Sequence, residues 1–355
     1  MKERLTPPML EMAELHRDRL RFHMPGHKGK PLPYPLPIDC DLTEIPGTDD
    51  LYHPGGAIDK AQAAAARSAH AGRSIMLTNG STAGVLTMIM YAAPKGSALL
   101  LSRNAHRSAG NACALAGIEP VYVDRQDSRG VLTPPSPDEW IEAIRNHPDA
   151  QAVLVTSPDY YGMVTPLAGI AGEARRLGIR LLVDQAHGAH WNWWDEPVCA
   201  GLSGACMWVQ SAHKTLPAPG QAAWLHLKAG EDAERARGIL ARIQTSSPSY
   251  LFMTALDCVR AWMDEYGAGA LERLKNMIPA RWPDGIVDPR EGERDPTRIV
   301  LDVAGRGLTG FEAQGRLSEL GVDIELADER RIVLIASVAD EPGDFDRLAD
   351  AVNIL

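Results

Sequence analysis

From about residue 73 to residue 227, short aliphatic runs alternate with alanine-rich stretches of helical period, and no other feature restricts the fold as much. Apolar runs separated by helical stretches are the pattern of βαβ units, whose strands pair in parallel and are covered by helices on both faces. Strands are expected at 74–78, 98–102, 120–123, 152–156, 180–184, 207–210 and 222–227. Helices are expected at 82–92, 109–116, 137–146 and 167–177, each near a turn or cap signal. The expected fold is α/β, with a mainly parallel seven-stranded sheet.

Two further helical stretches, 231–242 and 250–266, lead into a loop rich in Pro, Gly and charge, PARWPDGIVDPREGERDPTR. That composition marks a boundary. Beyond it the order strand, helix, strand, strand, helix suits a smaller α+β domain. At the other end, residues 22–56 are rich in Pro and lack regular period, so they are expected to drape over another surface. The expected division is an N-terminal arm, 1–56, a large domain, 57–280, and a small domain, 281–355.

Charge and cysteine usage narrow the function. The net charge is −10, and the 36 Lys and Arg residues are not concentrated in any stretch, so the electrostatic footprint of a nucleic-acid binder is missing. A small-molecule partner is expected. Five scattered cysteines without a CxxC spacing read as reduced thiols. The N-terminus is interrupted by charge, and the longest apolar run, 85–93, is broken by Thr87 and is far too short for a bilayer. A cytoplasmic location is therefore expected, with no membrane partner.

Several motif matches fail on context. GRGLTG, Gly305 to Gly310, fits G-x-G-x-x-G, but only 45 residues follow it, too few for a dinucleotide-binding half. It reads as a turn and helix start. VDQAHGAH resembles a helicase box, yet no phosphate-binding G-x-x-x-x-G-K-[ST] accompanies it. His187, His190 and His213, and His23 with His27, lack surrounding Cys and His clusters, so no metal is expected. GLSGA stops one Gly short of a nucleophile elbow.

A different constellation is coherent. Asp184 closes the apolar strand in LVDQAHG, and Lys214, 30 residues later, follows another strand in SAHKTL. In a parallel sheet both reach the crevice beyond the carboxyl ends of the strands. A lysine facing a carboxylate there suits pyridoxal 5'-phosphate (PLP): the lysine forms a Schiff base and the carboxylate keeps the pyridine nitrogen protonated. TNGSTAG supplies the third requirement, a phosphate cradle, with Gly80 allowing close backbone approach and Ser81 and Thr82 opening a helix whose free N–H groups favour an anion. Taken singly, Ser81 is an N-cap, Asp184 a turn residue and Lys214 a surface lysine; the ordered triple favours the cofactor.

FHMPGHKGK, TEIPGTDDLYHPGGAI, TNGSTAG, RNAHRS, TSPDYYG, LLVDQAHGAHW, VQSAHKTLPA and QTSSPSYLFMTALD occur in that order between residues 22 and 257. Together they resemble the PLP-dependent ornithine/lysine/arginine decarboxylase family, most of all its short bacterial branch without a wing domain, and the likeness runs to about residue 340. The resemblance implies the aminotransferase fold type I, with Lys214 as Schiff-base lysine and Asp184 as partner of the pyridine nitrogen. It implies that His106 stacks on the ring, although a helix-cap histidine is the alternative, and that His187 lies beside the cofactor's polar edge. Ser81, Thr82, Ser211 and His213 are then expected around the phosphate or the lysine. Two departures stand out. Gln185 replaces the usual Glu, and with the chain ending at Leu355 the family's extra C-terminal domain, and any substrate-binding role it has, is expected to be absent.

The expected activity is decarboxylation of a basic amino acid. An aminotransferase or other lyase remains open because the same Lys and Asp support Cα–H cleavage, and a non-catalytic PLP-binding protein is a further alternative. Asp49 and Asp50, with Glu44, are candidates for the substrate's distal cation, against a reading as solvated loop carboxylates. Arg298 is a candidate for its carboxylate. The fold usually places its site at a dimer interface, so Ser246 and Ser247, beside Ser249, are expected to reach the partner's cofactor phosphate, against a reading as an ordinary helix-start loop.

Overall fold

The computed structural model describes residues 7–126, 132–194, 198–289 and 293–355. A short helix α1 (Pro8–Leu15) and strand β1 (Leu20–Phe22) precede a long irregular segment and helix α2 (Ala57–Ser68). The alternation then begins: β2 (Arg73–Leu77), α3 (Gly80–Ala92), β3 (Ala98–Leu101), α4 (Arg107–Ala116) and β4 (Glu119–Tyr122). A two-stranded ribbon, β5 (Arg125–Gln126) and β6 (Leu132–Thr133), leads to α5 (Pro137–Asn146), β7 (Ala152–Thr156), α6 (Ala168–Leu177) and β8 (Arg180–Asp184). Next come β9 (Met207–Ser211), the single turn α7 (Ala212–Thr215), β10 (Ala223–Leu227), α8 (Ala233–Leu240) and the long α9 (Tyr250–Met277).

The seven-stranded sheet has the order β2-β10-β9-β8-β7-β3-β4 and is parallel except for β10, which runs against both neighbours. Successive residues of a strand point to opposite faces, so a strand covered on both sides must be apolar throughout. Strand β8 shows this directly. Leu182 joins Leu77, Leu99, Leu101 and Val209 in the core beneath α3 and α4, whereas Leu181 and Val183 join Trp140, Ile144 and Ile170 in the core beneath α5 and α6. Helix α9 extends past the expected stop at residue 266. Gly267 does not end it; a Cβ there would lie 2.8 Å from Met263 Cε and 3.4 Å from Trp193 Cβ, so the glycine lets the segment after β8 pack closely.

The C-terminal part contains β11 (Arg298–Asp302), α10 (Gly310–Glu319), β12 (Val322–Ile324), β13 (Leu326–Ala327), β14 (Arg331–Ile335) and α11 (Pro342–Ile354). Strands β11, β14 and β13 form an antiparallel sheet, and β12 pairs in parallel with β1, setting Phe22 opposite Ile324. A short strand thus precedes the irregular segment, with Leu20 and Phe22 buried in the C-terminal core. Three residues are too few for an alternating pattern to register in the sequence. GRGLTG is a turn and helix start: Thr309 caps α10 in a capping box with Glu312.

The HKGK block fastens the arm. Lys28 is buried, donates to Ile335 O at 2.5 Å and lies 3.9 Å from Asp340, while Lys30 pairs with Asp344 at 2.5 Å. Gly26 donates to His213 O at 2.7 Å, and a Cβ on it would come within 2.6 Å of Leu216 O. The arm thus runs directly over the turn that carries Lys214. Among the described residues no helix is long and apolar enough to cross a membrane.

Candidate active site

The carboxyl ends of β2, β3, β7, β8 and β9 surround a cavity of about 290 Å³. Asp184, the last residue of β8, is buried and accepts from Ala186 N at 3.1 Å. Lys214 lies in α7, directly after β9, and its Nζ is 3.0 Å from His187 Nε2. Burial pushes the Lys214 ammonium down to about 8, against the opposing pull of the Asp184 charge. Lysine and carboxylate therefore share one cavity wall, as neighbouring strands of a parallel sheet require.

The phosphate cradle is formed by the start of α3. Gly80 has φ +69°, a left-handed conformation that explains a glycine at the turn, and its N–H is taken by Gln221 O at 2.9 Å. The following N–H groups, at Ser81 and Thr82, have no carbonyl a turn earlier to bond. Asn79 makes no side-chain cap, and the first turn holds no acidic residue. Asn79, Gly80, Ser81, Thr82 and Gln221 all line the cavity. A 13-residue helix thus presents its positive end to this space.

Three histidines complete the wall. His106 lines the cavity and also caps α4, its Nδ1 accepting from Ser108 N at 3.3 Å. His213 Nδ1 lies 3.1 Å from Ala222 O, so the proton is on Nδ1. His187 Nδ1 contacts the Nη2 of Arg298, a fully buried residue at the start of β11. Burial lowers the pKa of all three imidazoles. Tyr160, also in the wall, meets His187 edge to face with ring centroids 5.2 Å apart and donates its hydroxyl to Glu325.

Buried polar atoms without partners show that this cavity is built for a polar ligand. Thr156 Oγ1 and Asn104 Nδ2 in the wall have no hydrogen-bond partner among the described residues, nor do Ser211 Oγ, Thr215 Oγ1 and Arg298 Nε and Nη1, which lie outside the lining. Each is costly to bury unpaired. Together with the open helix end, the lysine and Asp184, they fit PLP: Lys214 would hold its aldehyde carbon, Asp184 its ring nitrogen and the α3 terminus its phosphate.

The profile described as Orn/Lys/Arg decarboxylase, major domain, matches residues 7–280. The chain belongs to the Orn/Lys/Arg decarboxylase family. It is 36% identical to the uncharacterized protein YaaO of Bacillus subtilis over 342 residues, covering 90% of this chain and 71% of that one. It is 30% identical to the arginine decarboxylase of the same organism, covering 95% and 74%. Among solved structures the lysine decarboxylase LdcF of Francisella novicida superposes with a TM-score of 0.76 at 19% identity, over 88% of this chain and 53% of that chain. The family is one of PLP-dependent amino-acid decarboxylases of fold type I, and PLP is the cofactor of this chain.

Within this decarboxylase cavity the structure gathers Gly80, Ser81, Thr82, His106, Asp184, His187, His213 and Lys214, with Ser211 buried just behind the lysine. The acidic candidates lie outside the cavity of their own chain. Asp49 accepts backbone N–H bonds from Gly55, Gly56 and Ile58 at 2.8 to 3.0 Å, so its carboxylate caps the turn into α2. Asp50 accepts from Tyr52 N at 2.8 Å and pairs with His53 at 3.0 Å, and Glu44 is exposed. None of the three lines the cavity. The physical reason is the Pro-Gly-Gly turn ahead of α2, whose free N–H groups claim the nearest carboxylate. Ser246 and Ser247 are exposed and also lie outside the lining of their own chain's cavity.

Glu325, Tyr160, Thr156 and Asn104 had no assigned role in the sequence. The last three lie in blocks that carry the resemblance. Glu325 sits between two short strands and carries no local signal; it is not in the cavity lining but stands behind lining Tyr160, because β12 pairs with β1, where Met24 N donates to its Oε2 at 3.0 Å.

Proposed function

We propose that this chain decarboxylates a basic amino acid, arginine, lysine or ornithine, to the corresponding amine, and that it works in the cytoplasm as a homodimer with a shared site. The observation that carries the reading is Glu325. Its carboxylate is held against cavity-lining Tyr160 and Met24 N, and two of the roughly four acceptor sites of a carboxylate remain open. A distal ammonium or guanidinium suits that group. Arg298, with Nε and Nη1 unpaired, suits the α-carboxylate. Relatives named arginine and lysine decarboxylase support a basic substrate.

PLP, when bound, supplies the electron sink for the pair released as the Cα–carboxylate bond breaks. The protein's own groups do the rest. Asp184 holds the proton on the ring nitrogen. Lys214 would yield its place to the substrate's amine, and its Nζ, with a proton affinity brought near neutral pH by burial, is suited to return a proton to Cα. His187 and His213 stand beside it as further proton carriers. Exposed Ser246 and Ser247, just ahead of α9, support the reading that they serve the partner's cavity.

A screen of arginine, lysine and ornithine for amine production by the PLP-loaded chain tests the substrate class. One of the three should be converted in preference to neutral amino acids of similar length. Equal or better conversion of a neutral amino acid would overturn the reading.

A further inference from the structure

His187 lies between two nitrogen groups that are normally cationic, and hydrogen-bond chemistry decides what each contact is. Its Nδ1 meets Arg298 Nη2, and its Nε2 lies 3.0 Å from Lys214 Nζ. A guanidinium has donors only and keeps its charge, so Nδ1 must offer a lone pair. Burial, reinforced by the Lys214 and Arg298 charges, pushes the imidazole well below its ordinary range, so the ring is neutral and carries one proton. That proton is on Nε2. An N–H directed at Lys214 Nζ needs a lone pair there, and only the neutral amine has one.

We propose that Arg298 is a positioning residue that locks His187 as the Nε2–H tautomer, and that His187 in turn donates to the Lys214 Nζ lone pair and favours the free amine over the ammonium. The inference rests on the assignment of Lys214 as the cofactor lysine. Its consequence is chemical readiness. The Nζ lone pair forms the C–N bond to the cofactor aldehyde carbon, and both Nζ protons leave with the carbonyl oxygen as water, so no oxidant or other reactant is needed. An ammonium has no lone pair to begin this.

The charges around Lys214 are consistent with a balance that such a lock would tip. Asp184 on β8 and Glu325 beyond Tyr160 favour the ammonium, and Arg298 on β11 disfavours it. His106, His213 and Tyr160 are the other titratable groups of the wall among the described residues; burial lowers the two imidazoles and raises the phenol. Arg298 also keeps Nε and Nη1 without a partner among the described residues, so the lock occupies only one of its nitrogens.

Nitrogen NMR of the full-length, cofactor-free chain carrying labelled histidine reads the tautomer directly, with His187→Gln identifying the signal. The native chain should show His187 with Nε2 protonated and Nδ1 bare, and Arg298→Leu should lose that preference. A protonated Nδ1 in the native chain, as either the other tautomer or the imidazolium, would overturn the proposal. The pH dependence of cofactor loading gives a second readout. The rate at which the chain turns yellow with PLP should rise with pH through a midpoint near 8. His187→Gln should preserve that profile, because its amide accepts from Arg298 and donates to Lys214, whereas His187→Leu should slow loading about tenfold at neutral pH. Native loading by His187→Leu, or a folded His187→Gln as slow as His187→Leu, would contradict it. Neither readout uses an amino acid, so a wrong substrate assignment leaves both tests standing.

Discussion

Lys214 Nζ and His187 Nε2 lie 3.0 Å apart on the wall that also carries Asp184. Few lysines are so placed: Lys28, the other deeply buried one, is turned away to Ile335 O and Asp340 under the arm. Borohydride reduction of the PLP-loaded protein should therefore fix the cofactor on Lys214 alone. Peptide mass spectrometry that located the reduced adduct on any other lysine would refute the assignment.

Asp184→Asn should retain PLP while lowering turnover roughly 100-fold or more, because a neutral amide does not stabilise the ring-nitrogen proton in a buried site. Cofactor content by absorbance and turnover by amine release check the two halves separately. Near-native turnover with full cofactor would remove Asp184 from its role.

Asp49 and Glu325 should separate stability from specificity. Asp49→Ala removes the carboxylate that caps the turn into α2, so it should cost about 0.5–2 kcal/mol in urea unfolding with KM unchanged. Glu325→Gln removes the charge facing the distal cation and should raise KM for the basic substrate about tenfold. The reverse pattern, with Asp49 controlling KM, would restore the arm as the substrate-binding element.

Ser246 and Ser247 are tested by complementation. A Lys214→Ala chain and a chain with both serines changed to Ala should each be inactive alone. Refolded together, they should form heterodimers in which one site combines intact halves, and part of the activity should return. Heterodimers that stay inactive, or a serine variant of native activity, would show a site built within one chain.

How much of this is legible in the sequence follows from how local each signal is. Asp184 and Lys214 are legible because each ends an apolar run, and Ser81 and Thr82 because a glycine turn and a helix start are neighbours in the chain. His106 is half legible: its cap is a local signal two residues from Ser108, whereas its place in the wall depends on the fold. Glu325 is not legible. It depends on the pairing of residues 20–22 with 322–324, a contact across some 300 residues that no local pattern encodes. For Asp49 and Asp50 the acidity is visible in the sequence, but the backbone N–H groups that bond it appear only once the turn is built.

This cavity is proposed to break the bond from Cα to the carboxylate of a basic amino acid. Incubating the PLP-loaded protein with carboxyl-labelled arginine, lysine and ornithine, and measuring labelled carbon dioxide, amine and keto acid together, shows which bond at Cα is broken. Carbon dioxide and amine should form in equal amounts from one of the three, with no keto acid. Keto acid formed with the label retained would mean that the same Lys214 and Asp184 serve transamination instead.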